Sequence, residues 1–367
     1  MDAKQKTEGL ANRGNWAALK KTMKRAEEGQ HINIGFLGGS ITQGSLSSSP
    51  YTCYAYLVYE WWTNMFPKAE FSYINGGIGG TRSHFGAARA WEDVLCYRPD
   101  VVVVDFSVND EPTEFFQETF EGTVRTILSA PSAPAVILLN NVFYETGENA
   151  QELHNRIGAH YGIPCVSIRD SVWRRLRMGE FSVRDISPDG LHPNDRGHRM
   201  AADVICGLLE SVRNEMEQQE EPAAFPAPLT ANAYEGSVCC RIQDKKETLY
   251  GFTADPSEKK GMLDIFKNGW TAKKTGDKIV FEITCSNLAV QYRKSVKKPV
   301  PVAEAVIDGD EAHPVILDGN FTEDWGDCLY LQPLMHHGRK GLHRLEIRIR
   351  EAEQIVRPFY LVSVIVS

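Results

Sequence analysis

Residues 31–42 read HINIGFLGGSIT, an apolar run followed by two glycines and a serine. Ile32–Leu37 is predicted to form a buried β-strand, because a strand covered on both faces is apolar at almost every position. The glycines allow a sharp turn that leaves the hydroxyl group of Ser40 open. Ser40 then stands at the carboxyl end of the strand, where open α/β sheets bind their ligands. This position suits a nucleophile, although a Gly-Gly-Ser turn also serves as an ordinary helix cap.

Short apolar runs alternate with longer amphipathic stretches from residue 31 to about residue 216. This alternation is typical of βαβ units and predicts an α/β domain with a parallel sheet over residues 1–216. The predicted strands are Ile32–Leu37, Phe71–Ile74, Val101–Phe106, Ala135–Leu139 and Ile163–Ile168. The predicted helices are Trp16–Glu28, Tyr54–Phe66, Ser83–Tyr97, Glu114–Leu128, Ala150–Tyr161 and Asn194–Glu217.

Residues 217–230, EQQEEPAAFPAPLT, are charged and then rich in proline and alanine, which predicts a linker. After it, short β-rich runs recur with turn signals such as Asp308-Gly309 between them. The predicted strands are Thr248–Phe252, Lys278–Thr284, Leu288–Tyr292, Ala303–Ile307, Leu342–Arg350 and Ile355–Val366. We therefore expect residues 231–367 to form an antiparallel, jelly-roll-like β-sandwich.

The composition describes a globular chain with an acidic balance. The chain has 367 residues, of which 42% are hydrophobic and 24% charged, and its formal net charge is −8. Nucleic acids and anionic membranes are bound by clustered Lys and Arg, so we expect neither partner and favour a neutral, sugar-like ligand. The eight cysteines contain no C-x-x-C pair and are predicted to be free thiols. The first residues lack the apolar core of a secretion signal, so a cytoplasmic protein is expected.

Three further polar motifs follow predicted strands or precede the last predicted helix. Residues 75–81 read NGGIGGT, and the N–H groups of such a glycine loop either point at an oxyanion or simply form a tight turn. Asn109 follows the third strand and can offer its amide to developing negative charge, although Asn also commonly closes a strand. In SPDGLHP, His192 can take a proton from Ser40 while Asp189 orients the imidazole.

The serine, the glycine loop, the asparagine and Asp-x-x-His occur in this order. The combination resembles the SGNH (GDSL-like) hydrolase superfamily over roughly residues 30–216, in the variant whose first block reads GGSIT. The resemblance implies a flavodoxin-like, three-layer α/β/α domain. It also implies Ser40 as the nucleophile, His192 as the general base and Asp189 as its orienting partner. The implied oxyanion hole comprises the N–H groups of Ser40 and Gly80 and the side chain of Asn109.

Two positions depart from the pattern of that superfamily. Gly39 stands where many members carry Asp, and Ser107-Val108 precede Asn109 where others have small glycines. We do not expect the first departure to touch the reacting atoms. The second is expected to narrow the pocket beside Asn109.

The order of the two domains resembles bacterial mannan acetylesterases, in which a carbohydrate-binding-module-like sandwich shapes the glycan cleft. By this resemblance we expect a carbohydrate O-acetylesterase that acts on acetylated mannan oligosaccharides and needs no cofactor. The alternatives are an acetylxylan or general sugar acetylesterase and a noncatalytic glycan-binding protein. Sugars stack on aromatic rings, so Trp325 is a candidate substrate contact, as are Arg82 and His84 after the glycine loop.

Neither of two other polar clusters predicts a metal site. His336-His337 lack a partner motif for zinc. Asp308-Gly309-Asp310 resembles a fragment of a calcium loop, but the other ligand positions are missing, and a β-turn is the better interpretation.

Ser40→Ala is expected to abolish ester hydrolysis without loss of folding, because a nucleophile and its base together supply several powers of ten in rate. Turnover of an aryl acetate and a thermal unfolding curve measure the two properties. A folded variant that still turns over the aryl acetate contradicts the assigned roles.

Overall fold

A computed structural model describes residues 8–367, which form two compact units. The first unit ends at Glu235 and the second comprises Gly236–Ser367. The helices of the first unit are α1 (Ala17–Glu27), α2 (Ser40–Gln43), α3 (Tyr54–Met65), α4 (Ser83–Asp93), α5 (Glu114–Leu128), α6 (Gln151–His160), α7 (Arg174–Arg177), α8 (Val183–Ile186) and α9 (Asp195–Asn214). Its strands are β1 (Leu10–Asn12), β2 (His31–Gly38), β3 (Glu70–Gly77), β4 (Val101–Asp105), β5 (Ala135–Asn140) and β6 (Cys165–Ser167).

The strands of the first unit form one sheet in the order β1-β6-β5-β4-β2-β3. The pairs from β2 to β6 are parallel, whereas β1 lies antiparallel to β6 at the edge. This order confirms the expected flavodoxin-like parallel sheet, with the topological switch beside β2. The edge strand β1 was not predicted, because three residues show no periodicity and only pairing with β6 makes them a strand.

Each central strand contributes side chains to both faces of the sheet. In β4, Val101 and Val103 belong to one apolar cluster, and Val102 and Val104 belong to another. Residues of α1, α3 and α9 share the first cluster, and residues of α4, α5 and α6 share the second. The three-layer α/β/α arrangement is therefore confirmed, and it explains why the strands read as continuous apolar runs.

The segment predicted as a linker, residues 217–230, belongs to the first unit and is bound to helix α5. The carboxylate of Glu121 in α5 accepts hydrogen bonds from the backbone N–H groups of Leu229 and Thr230, at 2.6 and 2.7 Å. Tyr234 is buried, with 1% of its surface exposed. The proline-rich composition shows where regular structure stops. It does not show that a buried glutamate will hold the irregular chain in place.

The second unit is an antiparallel β-sandwich, as predicted. Its strands are β7 (Val238–Cys240), β8 (Glu247–Tyr250), β9 (Thr253–Ala254), β10 (Trp270–Ala272), β11 (Lys278–Cys285), β12 (Leu288–Lys294), β13 (Val302–Ile307), β14 (Val315–Asp318), β15 (Cys328–Met335), β16 (Gly341–Glu351) and β17 (Phe359–Val366). One sheet has the order β15-β12-β17-β10-β9, with β7 also paired to β17, and the other has the order β14-β13-β16-β11-β8. Both sheets contribute to one apolar cluster, in which Trp270 of β10 meets Phe281 of β11 edge to face at 5.5 Å.

The six β-rich runs predicted in this unit correspond to β8, β11, β12, β13, β16 and β17. The sequence did not reveal β15, because most of its residues are partly exposed and show no alternation of polar and apolar positions. Within residues 8–367, no helix combines the length and the apolar composition needed to cross a bilayer.

Candidate active site

Ser40 is the first residue of the one-turn helix α2, directly after strand β2. The two glycines before Ser40, Gly38 and Gly39, have little room for a side chain. A Cβ atom added to Gly38 would lie 2.2 Å from Oγ1 of Thr42, and one added to Gly39 would lie 2.3 Å from Oδ1 of Asn109. We did not expect position 39 to touch the reacting atoms, yet a Cβ atom there would displace the amide of Asn109.

His192 joins Ser40 to Asp189 by two short hydrogen bonds. Its Nε2 atom lies 2.8 Å from Oγ of Ser40, and its Nδ1 atom lies 2.7 Å from Oδ2 of Asp189. The structure thus brings together the three residues predicted to form the triad. Ser40 is almost buried, whereas the side chains of His192 and Asp189 are 24% and 44% exposed.

The loop around Asp189 holds its carboxylate toward the imidazole. Oδ1 of Asp189 accepts hydrogen bonds from the backbone N–H groups of Leu191, at 3.0 Å, and His192, at 2.7 Å. Partial burial alone would raise the pKa of Asp189, but these bonds and the contact with the imidazole hold it below its ordinary value. Asp189 is therefore an anion that fixes the tautomer and orientation of His192.

The glycine loop lies beside Ser40. A Cβ atom added to Gly79 would stand 3.8 Å from Cβ of Ser40, and the N–H group of Gly79 donates to Oε1 of Gln43 at 2.6 Å. Gly80 has a φ of +68°, a backbone conformation that favours glycine. Asn75 fastens this loop to α2, since its Nδ2 atom donates to the carbonyl oxygen of Thr42 at 2.9 Å.

Asn109 sits in a turn after β4, where its backbone N–H donates to the carbonyl oxygen of Phe106 at 2.9 Å. Its side-chain amide lies against the backbone of Gly39, next to the nucleophile. Of the pair Ser107-Val108, Ser107 is fully buried and donates its hydroxyl hydrogen to the carbonyl oxygen of Asn141 at 2.9 Å, and the narrowing of the pocket beside Asn109 stays a prediction. The glycine loop, Asn109 and Ser40 therefore meet at the carboxyl ends of adjacent parallel strands.

The three candidate substrate contacts have different environments. His84 is buried, 3% exposed, with its ring 4.9 Å from that of Tyr234, so it is removed from the candidates. Arg82 has an accessible guanidinium group that pairs with Glu111 at 2.9 Å. Trp325 is 58% exposed and belongs to the second unit. The sequence placed His84 on a helix after the glycine loop. It did not reveal that the imidazole packs against Phe115 of α5 and against Tyr234.

The comparison with known proteins decides the family. Residues 36–200 match the GDSL-like Lipase/Acylhydrolase family. The crystal structure of a two-domain esterase (CEX) active on acetylated mannans is 50% identical, with a TM-score of 0.97 over 99% of this chain and 98% of that chain. The chain belongs to the GDSL-like lipase/acylhydrolase family. It is accordingly an esterase, and the predicted SGNH (GDSL-like) resemblance is confirmed.

Two further relatives are similar to the chain. The crystal structure of a two-domain esterase (CEX) active on acetylated mannans, co-crystallised with mannopentaose, has 50% identity and a TM-score of 0.96 over 99% of this chain and 97% of that chain. An acetylxylan esterase of Xylanibacter ruminicola is 21% identical over 240 residues, which are 55% of this chain and 47% of that protein. The chain thus spans about half the length of this curated relative.

Sequence reasoning missed Arg89, a fully buried arginine of α4. Its guanidinium group donates to the carbonyl oxygens of Gly38, at 2.8 Å, and Gly76, at 2.6 Å, and it pairs with Asp93 at 2.9 Å. Arg89 therefore ties the end of β2 to the end of β3 in this GDSL-like domain. An arginine in the Ala-rich stretch AARAW was the available signal, because arginine is rarely buried without such partners.

Sequence reasoning also missed a set of hydrogen bonds between the chain from Ser45 to Tyr54 and helix α9. This helix begins three residues after His192. Asp195 accepts hydrogen bonds from the backbone N–H of Ser48 and the hydroxyl of Thr52, both at 2.7 Å. Nδ1 of His198 accepts the backbone N–H of Tyr54, and its Nε2–H donates to the carbonyl oxygen of Ser45, both at 3.2 Å. These bonds hold the segment that follows Ser40 against helix α9, which follows His192.

The attachment through His198 predicts a pH dependence of stability. Burial lowers the pKa of His198 from 6.5 to about 4. Because the pKa of His198 is lower in the folded state, the contribution of neutral His198 to the free energy of unfolding is fully present above pH 6.5. It is lost as the pH falls toward 4. The loss is on the order of 3 kcal/mol, since one pKa unit corresponds to about 1.4 kcal/mol.

The measurement is urea unfolding of the wild type and His198→Asn between pH 7 and pH 4. The difference in unfolding free energy between the two proteins is expected to shrink as the pH falls, because only the wild type titrates at this position. Carboxyl groups common to both proteins cancel in the difference. A difference that stays constant with pH contradicts the assignment of a neutral, structural His198.

Proposed function

We propose that this esterase is a carbohydrate O-acetylesterase that removes acetyl groups from mannan oligosaccharides, with Ser40 as the nucleophile. The observation that carries the proposal is the placement of His192 between Ser40 and Asp189, at 2.8 and 2.7 Å. It occurs in a chain that is 50% identical, over 99% of its length, to an esterase active on acetylated mannans.

The geometry supports a two-step mechanism. In the first step, Oγ of Ser40 attacks the acetyl carbon while Nε2 of His192 takes the hydroxyl proton. The imidazolium formed is stabilised by the carboxylate of Asp189. The tetrahedral intermediate then collapses, and His192 returns the proton to the departing sugar hydroxyl. In the second step, His192 activates water, which attacks the acetyl-enzyme and releases acetate and free Ser40.

The negative charge of both intermediates develops on the former carbonyl oxygen. We assign its stabilisation to the N–H groups of Ser40 and Gly80 and to Nδ2 of Asn109. Each such donor is typically worth about 10²–10³ in rate. Gly39 supports this assignment, since its missing side chain lets the amide of Asn109 approach the backbone next to Ser40.

The second unit is proposed as a carbohydrate-binding domain. An exposed aromatic ring offers an apolar face for the CH groups of a sugar ring. Trp325 is 58% exposed, and the buried ring of Phe321 supports it edge to face at 5.0 Å. Such support limits the rotamers of the indole and so reduces the entropy lost on binding.

Two alternatives differ from this proposal in substrate or in class. Activity on acetylxylan is favoured by the 21% identity to the acetylxylan esterase of Xylanibacter ruminicola. A noncatalytic glycan-binding protein was the alternative of another class, and both the family assignment and the short Ser40–His192 distance argue against it.

The eight cysteines support the expected cytoplasmic location. None of them forms a disulfide within residues 8–367, and all except Cys96 are buried. Free thiols persist in reducing compartments, whereas secreted proteins more often pair them. We therefore propose that the substrate is an oligosaccharide small enough to enter the cell.

The test is deacetylation of acetylated glucomannan oligosaccharides and acetylated xylan oligosaccharides at equal ester concentration. Mass spectrometry measures the acetyl groups lost, and Ser40→Ala is the matched inactive control. We expect the wild type to act faster on the mannan substrate. A preference for the xylan substrate contradicts the mannan assignment, and inactivity on both substrates and on an aryl acetate contradicts the enzyme assignment.

Trp325→Ala is expected to raise the Kd of a mannan oligosaccharide, measured by calorimetry, about tenfold, which corresponds to about 1.4 kcal/mol of lost stacking. The kcat/KM value for an aryl acetate is expected to stay unchanged, because this small ester offers no sugar to stack. Trp91→Ala is the matched control, since Trp91 lies in α4 and is 54% exposed. Equal effects of the two substitutions on the oligosaccharide contradict a binding role of Trp325.

A further inference from the structure

Asp105 is a buried carboxylic acid that the mechanism above does not use. It is the last residue of β4 and is 1% exposed. In the parallel pairing of β4 with β2, Asp105 stands directly opposite Gly38. The acid therefore lies beside the strand end from which the Ser40 turn begins.

Asp105 contacts the Ser40 turn through its backbone and its side chain. Its carbonyl oxygen accepts the N–H of Gly39 at 3.3 Å. Its Oδ2 atom accepts the hydroxyl of Thr42 at 3.2 Å, and that hydroxyl also bonds to the hydroxyl of Tyr54 at 2.7 Å. Because α2 consists only of Ser40–Gln43, holding Thr42 also holds Ser40.

The same carboxyl group reaches the loop that carries Asn109. Oδ2 of Asp105 accepts a hydrogen bond from Nδ2 of Asn141 at 2.8 Å. The backbone oxygen of Asn141 in turn accepts the hydroxyl of Ser107 at 2.9 Å, two residues before Asn109. A chain of hydrogen bonds thus runs from the nucleophile turn to Ser107, in the loop that carries the assigned oxyanion donor.

Stability alone does not account for an acid at this position. Burial is the main cause that raises the pKa of Asp105 to about 7; the nearby Asp110 contributes in the same direction, and the hydrogen bonds from Asn141 and Thr42 oppose the rise. Within residues 8–367, Asp105 forms no salt bridge with a cation. A buried carboxyl group without a counter-ion is unfavourable when ionised, and such groups concentrate at functional sites.

We propose that Asp105 is a positioning residue for ester hydrolysis, which holds the Ser40 turn through Thr42 and the Asn109 loop through Asn141. The inference rests on the proposed function of Ser40. Asp105 does not touch the substrate, so its loss changes the geometry of the reacting groups and leaves the binding surface intact.

The experiment compares kcat and KM for an aryl acetate in full-length variants. Asp105→Ala removes both hydrogen bonds, whereas the amide oxygen of Asp105→Asn can still accept them. Thr42→Val removes the link between Asp105 and the Ser40 turn, together with the hydrogen bond to Tyr54, and Thr42→Ser restores the hydroxyl. The Thr42 pair serves as the decisive comparison if Asp105→Ala does not fold.

We expect Asp105→Ala and Thr42→Val to lower kcat about ten- to hundredfold, the effect of a displacement of about 1 Å, with KM within about twofold. Asp105→Asn and Thr42→Ser are expected to keep kcat within about threefold of the wild type. The control is Glu121→Gln, because Glu121 is an equally buried acid that binds Leu229 and Thr230 away from the site. It is expected to lower the unfolding temperature and leave kcat unchanged.

Folded Asp105→Ala or Thr42→Val with wild-type kcat overturns the proposal. So does a loss of kcat in Asp105→Asn or Thr42→Ser as large as in their partners, because a hydrogen-bond acceptor or hydroxyl would then not suffice. A wild type that does not hydrolyse the aryl acetate overturns the proposed function instead, so the two failures are distinguishable.

Discussion

The hydrogen bond between Oγ of Ser40 and Nε2 of His192 joins two atoms that are 152 residues apart in the chain. Its formation requires the end of β2 and the beginning of α9 to lie at the same edge of the parallel sheet. Asp195 and His198 strengthen this approach, since both bind the segment that follows the nucleophile. The 2.8 Å distance thus depends on sheet topology and on contacts that do no chemistry themselves.

The site is supported from below by buried, hydrogen-bonded polar groups. Arg89 joins the ends of β2 and β3, and Asp110 joins the N–H of Ser83 in α4 to the ring of His154 in α6. Asp105 is the third of these groups, between the turns of the nucleophile and the oxyanion donor. Buried polar groups are stable only when hydrogen-bonded, and their fixed geometry makes them suited to hold loops in position.

Strong periodicity made much of the fold predictable. Helix α5 has the predicted bounds Glu114–Leu128, because Thr113 caps its first turn and its apolar residues recur at helical spacing. Strand β4 was found from four consecutive valines. In contrast, β1 and β10 are strands only through their partners, and the chain around Leu229 is held by the distant carboxylate of Glu121. Pairings of this kind leave no local pattern in the sequence.

The sequence by itself determined the order of elements and the chemical groups available, since apolar periodicity and the motifs around Ser40, Gly80, Asn109 and Asp189–His192 are local properties of the chain. Only the tertiary structure decided which of those groups meet. It excluded His84 as a substrate contact, because its ring is buried, and it showed that a side chain at position 39 would displace the amide of Asn109 as it stands here. The reason is physical: hydrogen bonds and steric exclusion act over a few ångströms in space, and distance along the chain does not specify distance in the fold.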